Sequence, residues 1–214
     1  MGGASSTLLE AVVPYAVEAQ NDYLGYDTHA SVHPATARDF ALTALGRAAA
    51  MCDKQASSGP PHRRPRPVGL ALTASLATTR QRRGANRGLI ATAVEGGTVK
   101  LYEVSLEKER RDREGEDRAI TWVMLHALCA VLSEAASTPA SSAAVELPHI
   151  QLPADLLCGV DEALTVTDIT PPSDPVAALL AGDTSISSVT VPTYTTFTAI
   201  QIELHTRPDC VSAE

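Results

Sequence analysis

Residues 67–89, with the sequence PVGLALTASLATTRQRRGANRGL, contain the pattern from which both a strand and a candidate site are predicted. The apolar run Val68 to Leu72 is typical of a buried strand flanked by turn residues. Hydroxyl residues follow it, and then four arginines, Arg80, Arg82, Arg83 and Arg87. A strand that ends in hydroxyl side chains and exposed amides, with guanidinium groups close by, is how α/β proteins hold a phosphate or a carboxylate. The alternative is a strand followed by a solvated basic loop, since the stretch has no Walker or GxGxxG spacing.

The distribution of charge favours a small anionic ligand over a polyanion. The chain has 214 residues and a formal net charge of −8, which disfavours nucleic acid as a partner. Yet seven arginines fall between Arg63 and Arg87, and the chain beyond Glu134 is almost entirely acidic or neutral. The local basic segment therefore stands out from an acidic background.

Cysteine usage and hydropathy indicate a cytoplasmic protein. The four cysteines are far apart and form no CxxC motif, so we expect free thiols in a reducing compartment and neither a zinc site nor a disulfide framework. No basic segment precedes an apolar run at the start, and no apolar span reaches membrane length. The sequence indicates no membrane partner, no metal and no cofactor.

The spacing of apolar residues predicts three helices and several strands within residues 1–134. A proline-rich basic linker, SSGPPHRRPRP, is predicted to separate the first two helices from the strand that begins at Val68. A turn at 95–98 joins two strands into a β-hairpin. The predicted helices are 17–24, 35–53 and 119–134, and the predicted strands are 11–13, 68–72, 89–94 and 99–104.

Composition changes after Ala135, where a Ser/Thr/Pro/Ala-rich stretch is typical of a linker. We therefore predict an α/β domain over 1–134, a linker over 135–148 and a C-terminal appendage over 149–214. Within the appendage the predicted elements are strands at 164–167, 189–191 and 197–204 and a short helix at 174–181.

Two segments carry a resemblance to a known family. AVVPYAVEAQNDYLG (11–25) and VGLALTASLATTRQRRGANRGLIATAV (68–94), followed by the Arg113 region and a closing helix, resemble the C-terminal domain of the competence/damage-inducible CinA family. Bacterial members of that family are nicotinamide-nucleotide amidases of the PncC type, with AYSNEAK, VTGIAGP and GDR-like segments in this order. The resemblance covers about residues 4–132, and its arginine-rich loop is most similar to the eukaryotic branch. It implies a three-layer α/β/α domain with a mixed sheet, and self-association into a homo-oligomer.

The resemblance also assigns site residues. Tyr15 stands at the tyrosine of AYSNEAK, but Gln20 replaces its lysine and so leaves the base role without an occupant. We expect the family's first strand and its serine-bearing nucleophile turn to be missing. The ligand-binding positions implied are Thr73, at the threonine of VTGIAG, and Arg113, at the arginine of the GDR turn, with Ser75, Thr78, Arg80 and Arg83 as phosphate contacts.

Three hypotheses follow. The first is an active amidase that converts nicotinamide mononucleotide to nicotinic acid mononucleotide and ammonia. The second is a CinA-like domain that binds a nucleotide or small phosphate with impaired or lost hydrolysis. The third is a non-catalytic structural or protein-interaction module derived from a fusion with a nucleotidyltransferase. Loss of the lysine at Gln20 argues against the first, and retention of Tyr15, Thr73 and the arginines argues against the third.

Overall fold

A computed structural model describes residues 7–28, 30–58, 66–80, 83–96, 98–136, 150–169, 188–191 and 200–203. The helices and strands follow one another along the chain in the order α1, α2, β1, β2, β3, α3, β4, β5, β6. Their bounds are α1 Val17–Leu24, α2 Pro34–Ser58, β1 Val68–Ser75, β2 Asn86–Val94, β3 Val99–Leu106, α3 Arg113–Ala136, β4 Ala163–Ile169, β5 Ser188–Val191 and β6 Ile200–Glu203.

The four strands β1 to β4 form one antiparallel sheet in sequence order. The predicted hairpin is confirmed as β2 and β3, and the Val94 amide donates to the Thr98 carbonyl at 3.3 Å across its turn. Gly96 in that turn has φ of 101°, a conformation that favours glycine. The sequence predicts a mixed sheet, but every strand pair in the described sheet is antiparallel.

Helices α2 and α3 contact alternate residues of the same strands. Leu89, Ala91 and Leu101 share a buried cluster with α2 residues, whereas Ile90 and Tyr102 share one with α3 residues. Successive strand residues point to opposite faces of a sheet, so the central strands β2 and β3 are apolar on both faces. This explains why β2 is predicted by a continuous apolar run and not by alternation.

Two strand glycines allow the helices to approach the sheet closely. A Cβ on Gly69 would lie 2.0 Å from the Ala41 carbonyl oxygen and 2.7 Å from the Leu45 nitrogen, both in the backbone of α2. A Cβ on Gly88 would lie 2.4 Å from Cδ1 of Ile120 in α3. Because its neighbours are backbone atoms, Gly69 determines how closely α2 approaches the sheet, whereas Gly88 makes room for the side chain of Ile120.

All three predicted helices are confirmed, with differences at their ends. α1 ends as predicted at Gly25, which has φ of 82° and donates to the Asn21 carbonyl at 2.7 Å. α2 extends to Ser58, two residues into the predicted proline-rich linker. α3 begins at Arg113, six residues earlier than predicted, because the Asp112 carboxylate accepts a hydrogen bond from the Gly115 amide at 2.8 Å and so starts the helix.

The strand predicted over residues 11–13 is wrong. Residues 8–15 contain no helix or strand, and the side chain of Val13 is 87% exposed. β-branched residues favour strands through packing against neighbouring strands, and none of the described strands pairs with this segment.

The chain divides into two compact units, residues 1–170 and 171–214. β4 confirms the strand predicted over 164–167, and it pairs with β3 in the sheet of the first unit, although the sequence analysis assigns it to the appendage. In the second unit, β5 and β6 form an antiparallel pair at the positions predicted for strands. The helix predicted over 174–181 lies outside the described residues. No helix in the described ranges is long and apolar enough to cross a membrane.

Candidate functional site

The end of β1 places two of the predicted ligand contacts on one face of the sheet. Thr73 and Ser75 alternate with Ala74 along the strand, and Ser75 pairs with Arg87 of β2. The Arg87 guanidinium donates to the carbonyl of Val32, just before α2, at 2.6 Å. The Thr73 hydroxyl is buried without a hydrogen-bond partner among the described residues. Thr73, Ser75 and Arg87 therefore form a polar strip at the end of the α2-side face.

The segment from Ala77 to Asn86, here called the arginine loop, carries the other basic residues of the prediction. Its residues 81 and 82 lie outside the described ranges. The Thr78 hydroxyl donates to the carbonyl of Arg80 at 2.7 Å, which shapes the loop and uses the hydroxyl proton locally. Arg80 and Arg83 are exposed, and neither guanidinium has a hydrogen bond or ion pair with a described residue. These two cations are thus available to an anion from solvent.

A buried carboxylate that the sequence analysis missed holds both ends of the arginine loop. The Glu116 side chain is 0% exposed. One of its oxygens accepts the backbone N–H of Ala77 at 2.6 Å, and the other accepts the Asn86 side-chain amide at 2.7 Å. A periodic signal was present, because Glu116 lies four residues before Ile120 and therefore continues the buried face of α3.

Arg113 contributes to the same anchoring. Its guanidinium donates to the Ala77 carbonyl at 3.3 Å, so α3 contacts both the N–H and the C=O of one loop residue. Lys108, in the connection before α3, donates to the carbonyl of Arg83 at 3.3 Å. The predicted role of Arg113 as a ligand contact remains a prediction, and the structure adds a contact to the loop backbone.

Tyr15 and Gln20, the residues at the family's tyrosine and lysine positions, have opposite surroundings. The Tyr15 side chain is 93% exposed, whereas Gln20 is 8% exposed. The Gln20 amide donates to the backbone carbonyl of Tyr15 at 3.4 Å, and its own oxygen is buried without a partner among the described residues. The contact between the two residues therefore involves the tyrosine backbone and leaves its hydroxyl in solvent.

Several charged and polar contacts connect α1 and its flanking segments with α2. Arg47 forms an ion pair with Glu10, and the hydrogen bond that its guanidinium donates within this pair lowers the pKa of the Glu10 carboxyl. The Arg47 guanidinium also lies 5.4 Å from the ring centre of Tyr23. The Tyr26 hydroxyl donates to Asp39, and burial followed by this hydrogen bond raises the pKa of Tyr26. Each of these contacts stabilises the packing of the first unit.

A second buried carboxylate, Glu162, precedes β4. Its side chain is 0% exposed and forms an ion pair with Arg111, whose guanidinium also donates to the Leu156 carbonyl at 2.6 Å. The Gly159 amide donates to Glu162 at 2.8 Å. The hydrogen bond from Arg111 lowers the pKa of Glu162 from 4.5 to about 2 despite burial, with further lowering by the Gly159 amide. This group connects the segment before α3 with the segment before β4.

Other features of the described residues do not involve the predicted site residues. An open groove on α3 is lined by Glu114, Asp117, Arg118, Thr121, Trp122 and Leu125, none of which is a predicted site residue. Cys52 is buried, Cys129 is half-buried and Cys158 is exposed, and all three are free thiols. Within the described ranges no group of three His, Cys, Asp or Glu residues is arranged to hold a metal ion.

Comparison of the chain with protein-family models, with curated proteins and with solved structures found no match.

Proposed function

We propose that the first unit binds a small phosphorylated ligand at the arginine loop and has lost or impaired amide hydrolysis. The observation that carries this proposal is the pair of exposed guanidinium groups, Arg80 and Arg83, on a loop whose backbone is held by α3. Guanidinium groups are suited to phosphate because they offer several N–H donors in a fixed planar arrangement. The Ser75 hydroxyl at the adjacent strand end would add a donor for a nucleotide.

We further propose that the unit is a divergent relative of the CinA C-terminal domain with a three-layer α/β/α arrangement. The support is the packing of α2 and α3 against alternate residues of β2 and β3, together with the sequence resemblance described above. A nicotinamide mononucleotide is the ligand that this resemblance suggests. A cytoplasmic location is part of the same proposal and rests on the dispersed free cysteines.

The surroundings of Tyr15 and Gln20 support the loss of hydrolysis. Amide hydrolysis through an acyl-enzyme needs a nucleophile within hydrogen-bond reach of a base. Gln20 cannot act as a base, and its buried amide contacts the Tyr15 backbone instead of the tyrosine hydroxyl. The pair therefore lacks the arrangement that general-base catalysis requires.

The proposal is tested with two ligands that differ only in phosphate, nicotinamide mononucleotide and nicotinamide riboside. Calorimetric titration should show binding of the mononucleotide alone, and Arg80→Ala combined with Arg83→Ala should weaken it. Arg118→Ala is the matched control, because Arg118 is an exposed arginine of α3 paired with Glu114. Equal affinity of wild type and the double variant would exclude the arginine loop as the site.

A second candidate, a protein-interaction module or self-associating subunit, is favoured by a different observation. The segment before α1 and the first residue of α1 expose several large apolar side chains, with Val13 and Tyr15 the most exposed; the others are Leu8, Val12 and Val17. Contiguous exposed apolar residues often mark interaction surfaces. Light scattering of wild type and Val13→Ser with Tyr15→Ser would test the homo-oligomer, since a smaller mass for the variant alone would place the interface at this segment.

A further inference from the structure

The conformation of the arginine loop depends on how its two ends are held. Ala77 follows β1, Asn86 is the first residue of β2, and Glu116 of α3 accepts a hydrogen bond from each of them. The exposed residues Arg80 and Arg83 lie between these two anchored ends. A loop fixed at its ends has fewer accessible conformations, so less entropy is lost when a ligand orders it further.

A carboxylate at position 116 accepts both hydrogen bonds in the observed arrangement. The two donors, the Ala77 N–H and the Asn86 amide, each need an acceptor, and a carboxylate supplies two oxygens. Glutamine offers one oxygen and directs an N–H₂ group at Asn86, so it keeps both contacts only if the Asn86 amide turns its own oxygen toward position 116. The buried carboxylate lies in the first turn of α3, where the helix dipole favours an anion.

We propose that Glu116 is a positioning residue that holds the arginine loop in its ligand-binding conformation. This inference rests on the proposed function and extends it, because Glu116 is buried away from solvent and acts on the ligand only through Ala77 and Asn86. The phosphate affinity of Arg80 and Arg83 therefore depends on a carboxylate that contacts neither of them.

The test uses substitutions that remove or exchange the two hydrogen bonds. Glu116→Met removes both acceptors with a side chain suited to the apolar cluster around α3, and Glu116→Gln is a milder variant for use if that protein does not fold. Glu116→Gln combined with Asn86→Asp restores both contacts, because the glutamine oxygen accepts the Ala77 N–H while its amide donates to Asp at position 86. Glu114→Gln, on the exposed face of the same helix, is the control.

Two measurements are made on each variant. Hydrogen exchange at the Ala77 amide, followed by NMR without ligand, should become at least about tenfold faster in Glu116→Met, since its hydrogen bond to a charged acceptor is lost. The dissociation constant for nicotinamide mononucleotide should rise about tenfold if the loop is then positioned in about one-tenth of molecules. Glu116→Gln should show smaller changes in the same directions, and Glu116→Gln/Asn86→Asp should return both values toward wild type.

The outcomes separate this inference from the proposed function. Unchanged exchange at Ala77 would overturn the positioning role whether or not any ligand binds. Faster exchange with an unchanged dissociation constant would also overturn it, because Glu116 would then have a purely structural role. If the wild-type protein binds no mononucleotide, the proposed function fails. The positioning role of Glu116 toward a ligand then fails as well, even if hydrogen exchange at Ala77 shows that Glu116 holds the loop.

Discussion

Replacement of Glu162 by glutamine should destabilise the protein in a manner that depends on pH. In the folded protein the Glu162 carboxylate forms an ion pair with Arg111 and accepts the Gly159 amide. These contacts lower its pKa from 4.5 to about 2, and the side chain is 0% exposed. Glu162→Gln removes the charge while keeping nearly the same volume, and its N–H₂ group faces one of the donors, so the pH-dependent part of its effect reports the electrostatic contribution.

The size of the effect follows from the two pKa values. A lowering from 4.5 to about 2 corresponds to about 3 kcal/mol of folding free energy, at about 1.4 kcal/mol per pKa unit. Because the folded pKa is the lower one, this contribution is fully present above pH 4.5 and is lost as the pH falls toward 2. We therefore expect the pH-dependent part of the cost of Glu162→Gln to be about 3 kcal/mol at pH 7 and about half as much at pH 3.

Urea unfolding of wild type and Glu162→Gln at pH 7, 4.5 and 3, at constant ionic strength, gives the difference in the free energy of unfolding at each pH. Glu114→Gln is the matched control, because Glu114 is 81% exposed and pairs with Arg118 on the surface of α3. The control should change the free energy of unfolding by less than about 0.5 kcal/mol. A difference for Glu162→Gln that does not vary with pH, or that equals the control, would refute the reasoning.

Two further predictions concern packing and a buried amide. Gly69→Ala should lower the free energy of unfolding by at least about 3 kcal/mol, since its Cβ would lie 2.0 Å from the Ala41 carbonyl oxygen. Gly46→Ala in α2 meets nothing within 4 Å and should stabilise the protein by about 0.5–1 kcal/mol. Thermal unfolding of both variants checks this, and similar effects of the two substitutions would contradict it. Gln20→Met should change the free energy of unfolding by less than about 1 kcal/mol, because the lost hydrogen bond to Tyr15 is offset by removal of a buried oxygen without a partner among the described residues. Urea unfolding that shows a loss above about 2 kcal/mol would mean that Gln20 has a stronger polar contact than the structure describes.

The helices and the central hairpin could be predicted from sequence because their signals are local. The apolar spacing of α2 and α3, the stop at Gly25 and the turn between β2 and β3 each depend on residues a few positions apart. The strand at β4 is predicted, but its pairing with β3 could not be predicted in this way, because β3 lies about 60 residues earlier along the chain.

The hydrogen-bond partners of the buried carboxylates could not be predicted because they are distant in sequence. The charged run over residues 107–118 is typical of a solvated surface, yet Glu116 bonds to Ala77, 39 residues away, and Arg111 to Glu162, 51 residues away. Charge composition alone does not distinguish an exposed glutamate from one whose donors come from another part of the fold. The predicted basic loop, by contrast, required only residues that are consecutive, and Arg80 and Arg83 are exposed on it.

The central claim, that the first unit binds a phosphorylated ligand without hydrolysing its amide, is tested most directly by incubating the purified protein with nicotinamide mononucleotide. Thermal unfolding and ammonia release are followed on the same sample. A saturating ligand at about 100 times its dissociation constant should stabilise the fold by roughly 2.7 kcal/mol. We predict this stabilisation with no ammonia above the protein-free blank. Ammonia release that is abolished in Tyr15→Phe would show a working amidase, and the absence of any stabilisation would contradict the binding site itself.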